Sequence, residues 1–219
     1  MRRAGAIAVG STVPSSGAKI AIMISRTMIP SPTIASALDD SVCHAFQAEM
    51  LRACRRERGV SGKPGLALGA MVLMLSKQII QTDHTLRKGT MHDRNAFMGS
   101  DINNRTIGIV GLGNVGRRVA RLCKTLFDMN VLACDPNLDE KTIAERGATK
   151  VMLDELLKRS DFVSINCPLD DASRNMISTR EFGLMQKHAF FITTARGFIH
   201  DEKALEEALR DKRIAGAGL

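Results

Sequence analysis

Apolar positions recur in two rhythms along the second half of this chain, and their alternation predicts its fold. Thr106, Ile107, Ile109 and Val110 crowd four apolar or β-branched side chains into five positions, the mark of a short strand buried on both faces. Val119, Ala120, Leu122, Cys123, Leu126 and Phe127 then repeat at helical spacing, and Val131-Leu132-Ala133-Cys134 forms a second apolar run. Beyond it, the pattern predicts short helices over 138–146 and 153–159 and a third buried strand over 162–166. A helix over 178–186, a fourth strand over 189–194, a helix over 202–212 capped by Asp201 and a fifth strand over 214–219 complete the series. Strands alternating with helices in this way predict an α/β fold built on a doubly wound parallel sheet.

The first half follows a different pattern. Gly62, Pro64 and Gly65 interrupt the chain, and residues 66–87 then read as one strongly apolar helix, with Ala67, Ala70, Met71, Met74, Leu75, Gln78 and Ile79 along one side. Such a helix is expected to be buried in a core or a subunit interface. Residues 88–104 read as an extended arm. Upstream, a strand at 19–24 and a helix at 36–58 are the readable elements, with loops marked by Pro14, Pro30 and Pro32. The basic run at 52–58 fits an anion-binding arm or, with more weight, a solvated helix face. The expected organisation is an unassigned segment 1–62, an interdomain or dimerisation helix and arm 63–98, and an α/β domain 99–219.

The turn between the first strand and its helix carries the candidate chemistry. It reads Gly111-Leu112-Gly113-Asn114-Val115-Gly116, and the second strand ends in Asp135, about 20 residues on, as a dinucleotide site expects. Gly111 permits the tight turn, Gly113 lets a pyrophosphate approach the backbone, and Gly116 lets the helix pack close to the sheet. The helix N-terminus offers free N–H groups and partial positive charge to the phosphates. Asp135 can accept hydrogen bonds from both ribose hydroxyls and would repel a 2′-phosphate, which favours NAD over NADP. A purely structural glycine turn is the rival reading; the strand, spacing and acid together favour the dinucleotide. Two further loops leave strands at their carboxyl ends, where ligands bind in open α/β sheets: Cys167-Pro168 and Ala195-Arg196-Gly197. An arginine fork at such a position can grip a carboxylate in two places, so Arg196 near a nicotinamide can hold a 2-oxo acid. A structural salt bridge is the alternative for it.

Composition narrows the picture. The net charge of +8 is lopsided: residues 1–98 hold 13 Lys/Arg against 6 Asp/Glu, and residues 99–219 hold 18 against 17. The domain with the glycine turn is thus nearly neutral, which argues against nucleic acid as its partner. Trp and Tyr are absent, so stacking platforms are scarce. No run approaches 18 apolar residues, and the apolar stretch at the start is too short for a signal peptide, so no membrane span is expected. The five cysteines lack C-x-x-C spacing and read as buried apolar residues in a reducing, cytoplasmic setting. His84 and His92 have no ligand-spaced partner, and no metal is expected.

The stretches GIVGLGNVGRRVA, VLACDP, SINCPLDDASRNMIS, FFITTARGFIHDEKALEEAL and RIAGAGL together resemble the D-isomer-specific 2-hydroxyacid dehydrogenases over about residues 66–219. The resemblance implies a Rossmann NAD-binding domain with an incomplete N-terminal segment, and a small 2-hydroxy or 2-oxo acid as substrate. It also implies a homodimer formed through the helix at 66–87 and the arm at 88–98. It places Asn114 and Val115 at the pyrophosphate, Asp135 at the adenosine ribose, Cys167, Pro168 and Ser173 along the cofactor groove, and Thr194-Ala195 near the nicotinamide. Arg196 matches the family's substrate-binding catalytic arginine. Two departures stand out. Leu68-Gly69 occupy the place of the family's Glu-His, and the catalytic Glu and the His it orients are expected beyond the fifth strand, past Leu219. His188, at the far end of a strand, and His200, expected on the surface at a helix start, are poor substitutes. The chain is therefore expected to behave as a C-terminally truncated NAD-dependent oxidoreductase of weak activity. The alternative is a non-catalytic, dimerising NAD-binding module like the family's corepressor relatives.

Overall fold

A computed structural model describes residues 62–89 and 95–219. The strand expected at 19–24, the helix at 36–58 and the basic run at 52–58 lie outside the described residues. Six strands follow in chain order: β1 (Thr106–Val110), β2 (Asn130–Cys134), β3 (Thr149–Lys150), β4 (Phe162–Ile165), β5 (Phe190–Thr193) and β6 (Gly216–Gly218). They form one sheet in the order β3-β2-β1-β4-β5-β6, with every pair parallel. The helices are α1 (Gly62–Ser76), α2 (Ile79–Arg87), α3 (Gly116–Phe127), α4 (Glu140–Glu145), α5 (Leu153–Arg159), α6 (Thr179–Leu184) and α7 (Glu202–Arg210), with a 3-10 turn at Asn95–Phe97.

Side chains alternate across the sheet and feed two cores. Ile107, Ile109, Val131, Ala133, Phe162 and Ile192 meet Val119, Ala120 and Cys123 of α3 and Leu68, Met71, Val72 and Leu75 of α1 on one face. Val110, Leu132, Val163, Ile165, Phe191 and Ala217 meet α5, α6 and α7 on the other. Full burial of an isoleucine such as Ile107 or Ile109 contributes about 1.5–3 kcal/mol. Gly108 presents no side chain to the second face, where a Cβ would sit 2.3 Å from Ser160 Oγ and 2.4 Å from Leu156 Cδ2; α5 therefore rests directly on β1.

Four expectations change. The break expected at Gly62, Pro64 and Gly65 is the start of α1, and the helix expected over 66–87 is two helices, bent by 60°. The returning chain causes the break: Ser100 N–H donates to the Ser76 carbonyl at 2.7 Å, taking the acceptor that a continuing helix needs, and Gln78 turns left-handed at φ 51°. The helix expected over 138–146 starts later, at Glu140, because Asp139 caps it by accepting from Thr142 N–H at 2.8 Å. The pattern also misses β3, whose two residues are both exposed. The faces of β6 are buried, with Gly216 and Gly218 lying under Leu75 and Met71 of α1. Among the described residues no single helix is long and apolar enough to cross a membrane; α1 and α2 reach that length only as a bent pair.

Candidate functional site

The strand order reverses between β1 and β4, and the carboxyl ends of β2, β1, β4 and β5 stand side by side there. Three strand spacings make this row about 14 Å long. Asp135, Gly111, Cys167 and Thr194 leave the four strands in that order.

Gly111 turns sharply at φ 86°, and a Cβ on it would lie 2.8 Å from Cys167 N. Its own N–H donates to the Cys134 carbonyl at 2.9 Å, so the turn is wedged between the ends of β2 and β4. Gly116 opens α3 directly against the turn, where a Cβ would meet the Gly111 carbonyl oxygen at 2.1 Å. Gly113 is exposed, with nothing within 4 Å of the place its Cβ would take. The hydrogen-bond ladder of α3 begins at the Gly113 carbonyl, which accepts from Arg117 N–H at 3.0 Å. Among the described residues the N–H groups of Gly113, Asn114 and Val115 have no acceptor. The result is a set of free donors at a helix start with open space in front, the requirement for an anion.

Asp135 is half-buried and accepts from Leu112 N–H at 2.9 Å through one oxygen and from Asn137 N–H at 3.0 Å through the other. Each oxygen keeps a further lone pair for a sugar hydroxyl. Arg146 donates to the Leu112 carbonyl at 2.5 Å, so Leu112 is held at both its polar ends while its side chain is buried. Sequence reasoning read Arg146 only as the end of a helix; nothing in its local pattern marks it as a brace for the glycine turn.

A sequence model of the D-isomer specific 2-hydroxyacid dehydrogenase, NAD binding domain, matches residues 69–219. The chain belongs to this family. A relative from Staphylococcus aureus (strain bovine RF122 / ET3-1) named as a 2-hydroxyacid dehydrogenase is 40% identical over 152 residues, covering 68% of this chain and 47% of that protein. The D-lactate dehydrogenase with NAD+ from Lactobacillus jensenii is 30% identical at a TM-score of 0.63, covering 70% of this chain and 46% of its own. The acyclic imino acid reductase (Bsp5) in complex with NADPH and D-Arg is 32% identical at a TM-score of 0.64, over 70% and 48%. The chain spans about half the length of the curated relatives it matches.

The other residues that the family resemblance points to are distributed unevenly. Cys167 is half-buried behind the glycine turn; burial raises its thiol pKa, and Asp170, Asp135 and Cys134 push the same way. Pro168 is exposed at the crevice. Ser173 is buried, and its hydroxyl is occupied inside its own loop: it donates to the Pro168 carbonyl at 2.7 Å and accepts from Asp170 N–H at 2.8 Å. It braces the groove wall from within. Thr194 is exposed, and Ala195 is half-buried with its N–H on Thr193 Oγ1 at 3.1 Å. Arg196 is exposed at the end of the row, and among the described residues no carboxylate pairs with it. The salt-bridge alternative finds no partner among the described residues.

His200 corrects an expectation: it is buried edge-on to Phe191 at 5.4 Å, and burial lowers its pKa against the opposing pull of Glu202 and Asp201. It reads as surface in the sequence because polar residues follow it. His188 does lie at the amino end of β5, where its Nε2 is 2.8 Å from Asp161 Oδ1. Sequence reasoning also missed a strained pair beside Arg196. Phe198 (φ 65°) and Asn175 (φ 51°) are both left-handed, and Phe198 O accepts from Asn175 N–H at 2.7 Å, tying the loops after β4 and β5 together.

Proposed function

We propose that this chain supplies the nucleotide half of an NAD-dependent dehydrogenase acting on the CH–OH group of a small 2-hydroxy acid. The observation that carries the reading is the set of free N–H donors at Gly113–Val115, facing open space beside Asp135. In this reading Gly111, Gly113, Asn114, Val115 and Gly116 hold the pyrophosphate, Asp135 binds the adenosine ribose, and Cys167 and Pro168 wall the groove. Ser173 stiffens that wall. Thr194 and Ala195 face the nicotinamide, which when bound supplies or takes the hydride. Arg196 grips the substrate carboxylate and turns C2 toward the ring; its freedom from any described carboxylate leaves both arms of the fork available. Asp135 makes NAD the preferred cofactor over NADP.

Among the described residues no histidine stands free at this crevice. His200 is buried, His188 is at the opposite sheet end, and His84 lies on α2. General acid–base help is worth about 10²–10⁴-fold, so with no histidine of the described residues free at the crevice, slow turnover of 2-oxo acids is expected. The reading keeps self-association on the segment 66–98, with α2 and the exposed Met98 as its contact, because the apolar face of α1 packs within the chain. The cytoplasm suits the free thiols of Cys123, Cys134 and Cys167.

The test is calorimetric titration with NAD and NADP, followed by NADH oxidation with hydroxypyruvate or glyoxylate. Tight NAD binding with weak NADP binding and slow turnover is expected. NADP binding as tight as NAD overturns the preference. No binding of either cofactor overturns the reading in favour of a structural glycine turn.

A further inference from the structure

The outer side of α3 carries a feature that the strand-end crevice leaves unused. Arg117, Arg121 and Lys124 stand at i, i+4 and i+7 and therefore share one side of the helix. With Asn114 and Arg146 they line a groove of about 670 Å³ between α3 and the turn after α4, in which Glu145 is the one acid among the described residues. Elsewhere several of the domain's arginines meet carboxylates, Arg105 with Asp161, Arg180 with Asp154 and Glu181, and Arg213 with Asp211, while Arg174 lies over the Phe198 ring and Arg196, among the described residues, stands alone at the crevice. Among the described residues no carboxylate lies within ion-pair distance of Arg117, Arg121, Lys124 or Arg146.

Lys124 suits the last turn of the helix, but Arg117 and Arg121 work against it. Like charges four apart repel, and Arg117 sits in the first turn, where the helix dipole disfavours a cation and where no acid is present to offset it. A concave surface lined by one sign of charge focuses the field and concentrates counter-ions. No aromatic side chain lines the groove, so the matching ligand is recognised by charge and not by a stacked base. Neighbouring side chains on one helix side start about 5–6 Å apart. Two or three linked phosphates bridge that separation.

We propose that this groove, which meets the glycine turn at Asn114 and runs from there along the outer side of α3, binds an oligophosphate anion beside the crevice and not in it. A free oligophosphate and the phosphate tail of a nucleotide share this chemistry. Arg146 lines the groove and also holds the Leu112 carbonyl, so occupancy of the groove is linked to the geometry of the glycine turn.

Calorimetric titration of the 219-residue chain with inorganic tripolyphosphate, with and without saturating NAD, tests this. Binding is expected in both conditions, weakening as salt rises from about 50 to 200 mM. Arg117→Gln/Arg121→Gln is expected to weaken it roughly tenfold or more, two charges having been removed. Both side chains are exposed, and circular dichroism of the double variant checks that it folds. ATP binding as tightly as tripolyphosphate, and lost in the same variant, assigns the nucleotide tail as the source; weaker ATP binding assigns the free anion. Full displacement of tripolyphosphate by NAD, unchanged binding by the double variant, or no binding at low salt overturns the proposal. The comparison of wild type and variant without NAD reads the groove whether or not the crevice binds a dinucleotide.

Discussion

Gly113 and Gly116 lie three positions apart in one turn, and alanine at each should fail for a different reason. At Gly116 the added Cβ would lie 2.1 Å from the Gly111 carbonyl oxygen and 3.1 Å from Ile109 Cγ2. An unstrained contact is about 3.5 Å, so α3 and the turn must separate by more than about 1 Å. The nearest obstacle is backbone, which cannot swing aside like the end of a side chain. Overpacking costs about 1–3 kcal/mol, and a backbone obstacle puts Gly116→Ala at about 3. For a domain of this size that lowers Tm by roughly 6–12 °C. At Gly113 nothing lies within 4 Å and φ is not left-handed, so alanine leaves stability within about 0.5 kcal/mol. The methyl group then stands where a pyrophosphate would approach, and NAD binding falls about 10–100-fold, or 1.4–2.8 kcal/mol. Thermal unfolding followed by circular dichroism, with calorimetric NAD titration of both variants, reads the two effects separately. A Gly113→Ala protein that melts as low as Gly116→Ala, or that binds NAD as tightly as wild type, refutes the division of labour.

Asp135→Ala strips the acceptors from Leu112 N–H and Asn137 N–H and should lower stability by about 1–3 kcal/mol in urea unfolding, while narrowing the gap between NAD and NADP affinities. His200 is held below the ordinary histidine value of 6.5 by burial, so the unfolded chain binds more protons than the native one as pH falls. Stability present above about pH 6.5 is therefore lost as pH drops through the native pKa; His200→Phe should flatten that slope in urea unfolding at pH 5, 6 and 7. Asp128 ends α3 in the left-handed region at φ 47° and puts a negative charge at the helix C-terminus, so Asp128→Gly should stabilise by about 1 kcal/mol, read as a rise in Tm.

The part of the fold most legible in the sequence is the run from β1 through α3 to β2. There local pattern and tertiary role coincide: Ile107, Ile109, Val119 and Cys123 are apolar at the right spacing and buried in one core. Asp135 and the three glycines were legible because each answers a steric or electrostatic demand that recurs at fixed spacing. What stayed hidden depends on residues distant in sequence. Lys77 and Gln78 look helical until Ser100 takes the Ser76 carbonyl. Gly108 looks like a weak point in a strand until Ser160 and Leu156 arrive over it. Arg146 reaches 34 positions back to Leu112, and Ser173 was placed in the groove although its hydroxyl is consumed inside its own loop. The charge count gave a nearly neutral domain, which concealed the gathering of cations along one side of α3.

The position of α1 bears on where this domain can be divided. The pattern places a boundary near residue 98, ahead of the first strand. Yet Met71 and Leu75, well before that boundary, roof the glycines of β6, and Leu68 and Val72 fill the same core as Ile107 and Ile192. The unit that folds therefore begins inside the connecting helix. A polypeptide started at Gly99 would leave the far half of the sheet bare on one side and is expected to aggregate, whereas one started at Gly62 keeps its roof. Mechanically, α1 is a passenger of the sheet. Leu68, Met71, Val72 and Leu75 are seated in the sheet's core, so α1 moves only as the sheet moves.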